Sequence, residues 1–370
     1  MSHRKPQVKS MAALKADASA AYVNSPKGVG SKKVAEESKD ASGRPKRTTL
    51  RQARRRLSVV SDNKFVEGMA AAAAAAEAEE AAASTRARSV VSTYAGVCKK
   101  GYAPYNPRKK NQDSIVMQEH EETGALLLAA LDGHGEAGDL VSQFFRDRLT
   151  KYIFSSRDFP SDPCRAMATA LATIEAEILE DTSIDTEFSG TTAVVACIKD
   201  SELFVANVGD SRIILGTEES EGVWKAVPVS RDHKPDLPDE RARIEATGGR
   251  VFAVEYDDGI DGPARVWLAH MDIPGLAMSR SLGDVVAHTA GVSSEPEVHH
   301  VKLTAKDKVL VLGSDGLWEF IENAEVIGVA QRHTEPMKCV KQLADEAYQR
   351  WMAEEQVVDD TTVIVAFLSV

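Results

Sequence analysis

The chain has 370 residues, 43% of them hydrophobic, enough for a sizeable core in one large domain or two small ones. Its formal net charge of −11 is unevenly placed: residues 1–60 hold 15 Lys and Arg against 4 Asp and Glu, a net +11 that leaves −22 on residues 61–370. Such an acidic body argues against nucleic acid as the main partner and suits a protein that collects cations. Cys98, Cys164, Cys197 and Cys339 show no CxxC spacing, which argues against a disulfide framework and for a reducing compartment. None has an Arg six positions on, so the Cys-x5-Arg phosphate loop of cysteine phosphatases is absent. No apolar run approaches the roughly 18–20 residues needed to cross a bilayer. The N-terminus lacks a signal-peptide core, and Ser2 excludes N-myristoylation.

Residues 1–88 read as a disordered, basic, Ala-rich tail, too poor in apolar residues to offset the entropy of ordering. Within it, residues 69–83 are nearly all Ala and Glu and predict a solvent-exposed helix. Arg54-Arg55-Arg56-Leu57-Ser58 sets a hydroxyl two residues after an arginine run, as basophilic kinases prefer; a phosphate there would add close to two negative charges. The basic cluster 44–56 also fits a nuclear-localisation signal, an acidic-membrane patch or a docking segment for the acidic body. Cytoplasm or nucleus is the expected location, with an organellar transit peptide as an open alternative.

From residue 89 to 370 the pattern is that of one folded domain. Residues 114–117 and 125–131 predict a hairpin about the turn 121–124. Residues 137–154 and 163–181 predict two helices, and 192–198, 203–208 and 212–215 a block of strands. A short helix over 238–246 ends at Gly248-Gly249, a glycine stop signal. Residues 309–312 read as a buried strand, 324–332 and 337–352 as helices, and 362–368 as the last strand. Strands and helices come in batches, which favours antiparallel sheet packed with helices over a doubly wound parallel sheet.

Acidic segments stand at the ends of several of these strands: Asn111-Gln112-Asp113, Leu131-Asp132-Gly133-His134-Gly135, Gly209-Asp210-Ser211-Arg212, Ser314-Asp315-Gly316 and Asp359-Asp360-Thr361-Thr362. Asp and Gly are ordinary turn residues singly, but carboxylates repeated at strand ends are what hard divalent cations need. Asp132 leaves the sheet at a strand mouth, Gly133 allows a close backbone approach, and His134 stands near enough to donate a proton to a leaving oxygen. Asp315 repeats the arrangement, and the pair Asp359-Asp360 supplies a carboxylate from the opposite direction. Two cations held there about 3.5–4 Å apart would make hydroxide available near neutrality and stabilise charge on a phosphate. Asp210 reads as a tight-turn residue, His233 as structural and Trp318 as core.

The ordered motifs resemble the metal-dependent protein phosphatases, the type 2C Ser/Thr family. They include Asn-Gln-Asp-Ser (111–114), Leu-Asp-Gly-His-Gly (131–135), Ser-Gly-Thr-Thr-Ala-Val (189–194) and Val-Ala-Asn-Val-Gly-Asp-Ser-Arg (205–212). Asp-His-Lys-Pro (232–235), Leu-Ala-Met-Ser-Arg-Ser-Leu-Gly-Asp (276–284), Glu-Pro-Glu-Val (295–298), Gly-Ser-Asp-Gly-Leu-Trp-Glu (313–319) and Asp-Asp-Thr-Thr-Val-Ile (359–364) follow. The resemblance implies an α+β fold, a four-layer αββα sandwich of two antiparallel β-sheets flanked by helices, with Mg2+ or Mn2+ at one end. It implies that Asp132 bridges two metals, that the Gly133 carbonyl ligates one, and that Asp315 and Asp359 complete the set. Asp113 would act in the outer shell, Arg108 would bind the substrate phosphate, and His134 would be the general acid. Gln112 stands where some members have Glu. A third, loosely held cation would fall to Glu187 or Asp185, Glu187 being the closer positional match.

The implied activity is hydrolysis of phosphoserine and phosphothreonine in protein substrates by direct attack of water, by a monomer. The alternative is a catalytically inactive scaffold of the same fold. A scaffold would be expected to have lost at least one of Asp132, Asp315 and Asp359, and all three stand. A dinuclear hydrolase of the other Ser/Thr phosphatase type would want a Gly-Asn-His-Glu segment, which the chain lacks.

Overall fold

The structure, a computed structural model, describes residues 90–370 apart from 107 and 257–258. These lie in one unit, Ala82–Val370. The tail expected over 1–88, with its helix and Ser58, lies outside the described residues. In chain order, β1 (Val91–Lys99), β2 (Ser114–Glu119), β3 (Leu126–Leu131) and the two-residue β4 (Gly133–His134) lead into α1 (Gly138–Phe154) and α2 (Pro163–Glu180). Next come β5 (Gly190–Thr191), β6 (Ala193–Lys199), β7 (Glu202–Val208), β8 (Arg212–Ser220) and β9 (Val223–Pro228). Helix α3 (Pro238–Ala246) precedes β10 (Arg250–Tyr256), β11 (Gly259–Leu268), β12 (Met271–Leu276), β13 (Leu282–Gly283) and α4 (Val285–Thr289). The chain closes with β14 (Glu297–Lys302), β15 (Asp307–Gly313), α5 (Asp315–Trp318), α6 (Asn323–Ala330), α7 (Pro336–Glu354) and β16 (Thr361–Leu368).

Two five-stranded antiparallel sheets, ordered β1-β16-β15-β8-β9 and β14-β7-β6-β3-β2, form the middle of the molecule. Their central strands are apolar throughout because both faces are covered, so side chains alternate between two cores. In β3, Leu126, Leu128 and Ala130 pack between the sheets, while Leu127, Ala129 and Leu131 pack under α1 and α2. In β15 and β16, Leu310, Leu312, Ile364 and Ala366 face the inter-sheet core, and Val309, Val311, Val363 and Val365 face α5, α6 and α7. The layers are therefore helix, sheet, sheet, helix, the αββα sandwich implied by the sequence.

Local signals set the helix ends. Pro163 occupies the first turn of α2 and Asp162 accepts a hydrogen bond from the Arg165 N–H at 3.1 Å. Just past α3, Gly248 takes a φ of +95°, a conformation natural to glycine. Between α3 and β13, the strands β10-β11-β12 form a small separate sheet over their own core of Ile244, Val251, Val266 and Ala287. Among the described residues no helix is long and apolar enough to cross a membrane.

The antiparallel pairings bring the acidic segments to one edge. Ser114, first in β2, lies opposite Leu131, last in β3. Gly313, last in β15, pairs with Val363 near the start of β16 on one side and with Arg212, first in β8, on the other. Asp113, Asp132, Asp315 and Asp359 thus leave neighbouring strands at the same end of the sandwich.

Candidate active site

Asp132 sits between β3 and β4, and its backbone is fixed on both sides. Its N–H donates to Thr192 Oγ1 at 3.1 Å and its carbonyl accepts from the Thr192 N–H at 2.8 Å. Gly133 is wedged between backbones: a Cβ there would lie 2.3 Å from the Gly138 carbonyl oxygen and 2.5 Å from that of Gln112. Asp113 is buried, and its Oδ2 accepts from Ser314 Oγ at 2.7 Å and Thr362 Oγ1 at 2.8 Å, one hydroxyl from each side of the β15–β16 pair.

The two members of the Asp359-Asp360 pair are used differently. Asp360, buried, is a clip: it accepts from the backbone N–H of Gly101 at 2.7 Å and Gln112 at 2.9 Å and from Lys109 Nζ at 2.6 Å. Asp359 is more open; its Oδ1 accepts from the Asp360 N–H at 2.7 Å and lies 3.2 Å from Lys109 Nζ.

The carboxylates raise one another's pKa. Asp132 is pushed well up by burial, then by the charges of Asp315, Asp113, Asp359 and Asp210. Asp315 is pushed well up by burial and by Asp210 and Asp359, against a hydrogen bond with Asp132 and the Lys234 charge. Burial raises Asp113 to about 7, opposed by its bonds to Ser314 and Thr362. Asp210, 2% exposed, belongs to this acidic group as well as to its turn; its Oδ2 lies 2.5 Å from Lys234 Nζ.

Buried oxygens without a hydrogen-bond donor remain on Asp113, Asp210 and Asp315, in each case Oδ1. Among the described residues no three Asp, Glu, His or Cys groups close on a single point. An all-oxygen donor set with unpartnered buried oxygens and mutually raised pKa values fits hard divalent cations.

His134 follows in β4, with Nε2 2.6 Å from Asp284 Oδ2 and Nδ1 buried without a partner. Burial would lower its pKa, but Asp284, helped by Asp210 and Asp315, raises it.

A family model described as protein phosphatase 2C matches residues 107–355, more than half of the chain. The chain belongs to the protein phosphatase 2C family. A rice (Oryza sativa subsp. japonica) protein named probable protein phosphatase 2C 12 is 32% identical over 329 residues, covering 76% of this chain and 82% of its own. Probable protein phosphatase 2C 72 of Arabidopsis thaliana is 36% identical over 274 residues, covering 70% and 81%. In fold, the serine-threonine phosphatase 2C of Toxoplasma gondii superposes with a TM-score of 0.66 at 20% identity, covering 76% of this chain and 98% of that one.

Of the residues singled out from the phosphatase sequence, Asp113, Asp132, Gly133, His134, Asp315 and Asp359 come together. Arg108 is exposed and forms no ion pair among the described residues; its neighbour Lys109 is the one that meets Asp359 and Asp360. Glu187 is exposed on the loop before β5, and the nearby Asp185 carboxylate is occupied by the Glu187 N–H at 3.0 Å. His233 is fully buried between the Gly209 N–H and Glu297, and Trp318 is buried with its N–H on the Gly313 carbonyl. Lys234 and Asp284 lie inside motifs read from the sequence, but neither they nor Lys109 was given a role there, since each acts through a partner distant along the chain.

Proposed function

We propose that the chain hydrolyses phosphoserine and phosphothreonine in proteins, using two Mg2+ or Mn2+ ions held by Asp132, the Gly133 carbonyl, Asp315 and Asp359. The observation that carries this reading is the gathering of raised-pKa aspartates, with buried unpartnered oxygens, at one end of a type 2C fold. When bound, the cations would make hydroxide available near neutral pH and offset charge on the phosphate. Asp113, pinned by Ser314 and Thr362, acts behind the ligands as an acceptor of fixed direction. Arg108, exposed on the approach to β2, reaches the substrate phosphate with its guanidinium fork. His134 gives its proton to the departing Ser or Thr oxygen. Glu187 is the carboxylate for a third, loosely held cation; Asp185 is already engaged by a backbone N–H. Cytoplasmic or nuclear residence, action as a monomer and phosphorylation of Ser58 belong to the same reading and rest on the sequence alone.

The test is phosphate release from a phosphothreonine peptide by the purified full chain, with Mn2+ or Mg2+, then with EDTA, beside Asp315→Ala. Release that needs a cation and is lost in the variant is the expected result. A folded protein that releases nothing with either cation would refute the proposal and leave a scaffold of the same fold.

A further inference from the structure

Asp284 opens α4, where an aspartate ordinarily turns its carboxylate onto the backbone N–H groups of the first helical turn. It makes no such cap. Its carboxylate reaches across to His134 instead, at 2.6 Å, although the residue is 3% exposed and holds a left-handed φ of +43°. A non-glycine residue in that conformation, deep in the protein and away from its local partners, is fixed there by its surroundings.

Those surroundings are specific. The short sheet β13-β5-β4 pairs Gly190 with His134 on one side and with Gly283 on the other. Asp284 and His134 therefore meet across a strand whose residue between them has no side chain. A Cβ on Gly190 would lie 2.1 Å from Asp284 Oδ2. Behind the pair, the buried Glu175 of α2 receives the Gly283 N–H on both carboxylate oxygens, at 3.0 and 3.2 Å. The Asp284 N–H donates to the Ser189 carbonyl at 3.0 Å, and the Val285 and Val286 N–H groups donate to the carbonyls of Thr186 and Glu187. The backbone N–H groups of residues 283–286 are thus all tied down, and among the described residues the Asp284 carboxylate's hydrogen bond is to the imidazole.

We propose that Asp284 is the positioning residue for His134: it holds the hydrogen on Nε2 and turns the ring so that Nδ1 serves the departing oxygen. A carboxylate can only accept, so the imidazole must donate from Nε2. As the ester O–P bond breaks, the leaving oxygen takes the Nδ1 proton and the neutral ring keeps its hydrogen on Nε2. Solvent restores the Nδ1 proton before the next turnover. The assignment rests on the phosphatase reading for its chemistry, but not for the hydrogen bond itself.

The test compares the full-length wild type with His134→Ala, Asp284→Asn and the double variant, using a phosphothreonine peptide and p-nitrophenyl phosphate with Mn2+. Asparagine fills the same volume, so a fold maintained in Asp284→Asn separates positioning from packing. An oriented general acid matters most when the leaving group is poor. The expected result for Asp284→Asn is a kcat loss at least about tenfold larger on the peptide than on the aryl phosphate, with little change in KM. The double variant is expected to be no slower on the peptide than His134→Ala. Equal losses on both substrates, or additive losses in the double variant, would overturn the assignment. Independently of turnover, 15N NMR of histidine-labelled, cation-free protein at alkaline pH should show His134 with its hydrogen on Nε2. Asp284→Asn, whose amide can also donate, should populate the Nδ1–H form. If the wild type releases no phosphate, the phosphatase reading falls and the tautomer alone decides: hydrogen on Nδ1 in the wild type would refute the role of Asp284.

Discussion

Cation binding should expel protons from this protein. Asp113 is raised from an ordinary 3.8 to about 7, so at pH 7 it holds about half a proton, while Asp132 and Asp315 are both raised well above their ordinary value. A divalent cation requires ionised ligands and stabilises ionised neighbours, so these protons must leave as it binds. Binding at pH 7 is expected to release at least about half a proton, from Asp113, and more from Asp132 and Asp315, and affinity should rise about tenfold per pH unit for each proton released. The assay is calorimetric titration of the full chain with Mn2+ near pH 7, in two buffers of different ionisation enthalpy. Asp315→Asn should weaken binding and reduce the proton count. Measurable binding with no difference between buffers would refute the reasoning, because it would mean the carboxylates were already ionised. The same shift has a consequence for cation-free stability. A carboxyl whose folded-state pKa is raised stabilises the fold below its unfolded pKa, and this is lost as pH rises through the folded value. For Asp113 that window runs from about 4 to about 7, and three pH units correspond to roughly 4 kcal/mol.

Gly133→Ala puts a methyl against two carbonyl oxygens that belong to backbone and cannot swing away. It should cost about 1–3 kcal/mol, read as a lower unfolding midpoint in urea; an unchanged midpoint would mean the loop yields. Glu240, 1% exposed, is bonded by Arg243 at 2.8 Å, Arg280 at 2.7 Å and Ser279, which outweigh burial and hold its pKa low. A depressed carboxyl stabilises the fold above its unfolded pKa of 4.5 and loses this as pH falls towards its folded value. Glu240→Gln should therefore cost about 3–5 kcal/mol at pH 7 and much less near pH 2, measured by urea unfolding at both. An equal loss at the two would show that packing rather than charge is at stake.

The parts of the fold that were legible in the sequence are those whose pattern is set locally. Residues 126–131, 193–198, 309–312 and 363–366 read as unbroken apolar runs because each is sandwiched between two cores. Helix α3 matched its expected bounds because Pro238 and Gly248 mark its ends. The strands β9 to β12 gave no clear signal. β9 is largely exposed, and the β10-β11-β12 sheet covers a small core of its own, so neither shows the apolar run of a central strand. In the site, the aspartates could be named because each follows or precedes a recognisable strand. The two-residue strands β4, β5 and β13 are below the length at which any periodicity exists, and with them went the Asp284–His134 pair. Asp210 was assigned to a turn, and it does sit in one; its influence on Asp132 and Asp315 depends on a convergence that only the folded sheets create.

The charges at this end of the sandwich do not cancel among themselves. Asp113, Asp132, Asp210, Asp315, Asp359 and Asp360 would bring six negative charges when ionised, and the ammonium groups of Lys109 and Lys234 return two positive ones. Asp284 and His134 face each other as a separate pair. The remainder is four negative charges, a surplus that divalent cations would offset. The lysines are not spread evenly over the group. Lys234 contacts Asp210, and Lys109 holds Asp360 at 2.6 Å and Asp359 at 3.2 Å, so neither ammonium group is paired directly with Asp132 or Asp315, although the Lys234 charge reaches Asp315. These two aspartates, without a lysine in direct contact, have pKa values driven well up. Charge with no cationic side chain in direct contact is thus concentrated on Asp132 and Asp315, which is where bound cations would relieve it most.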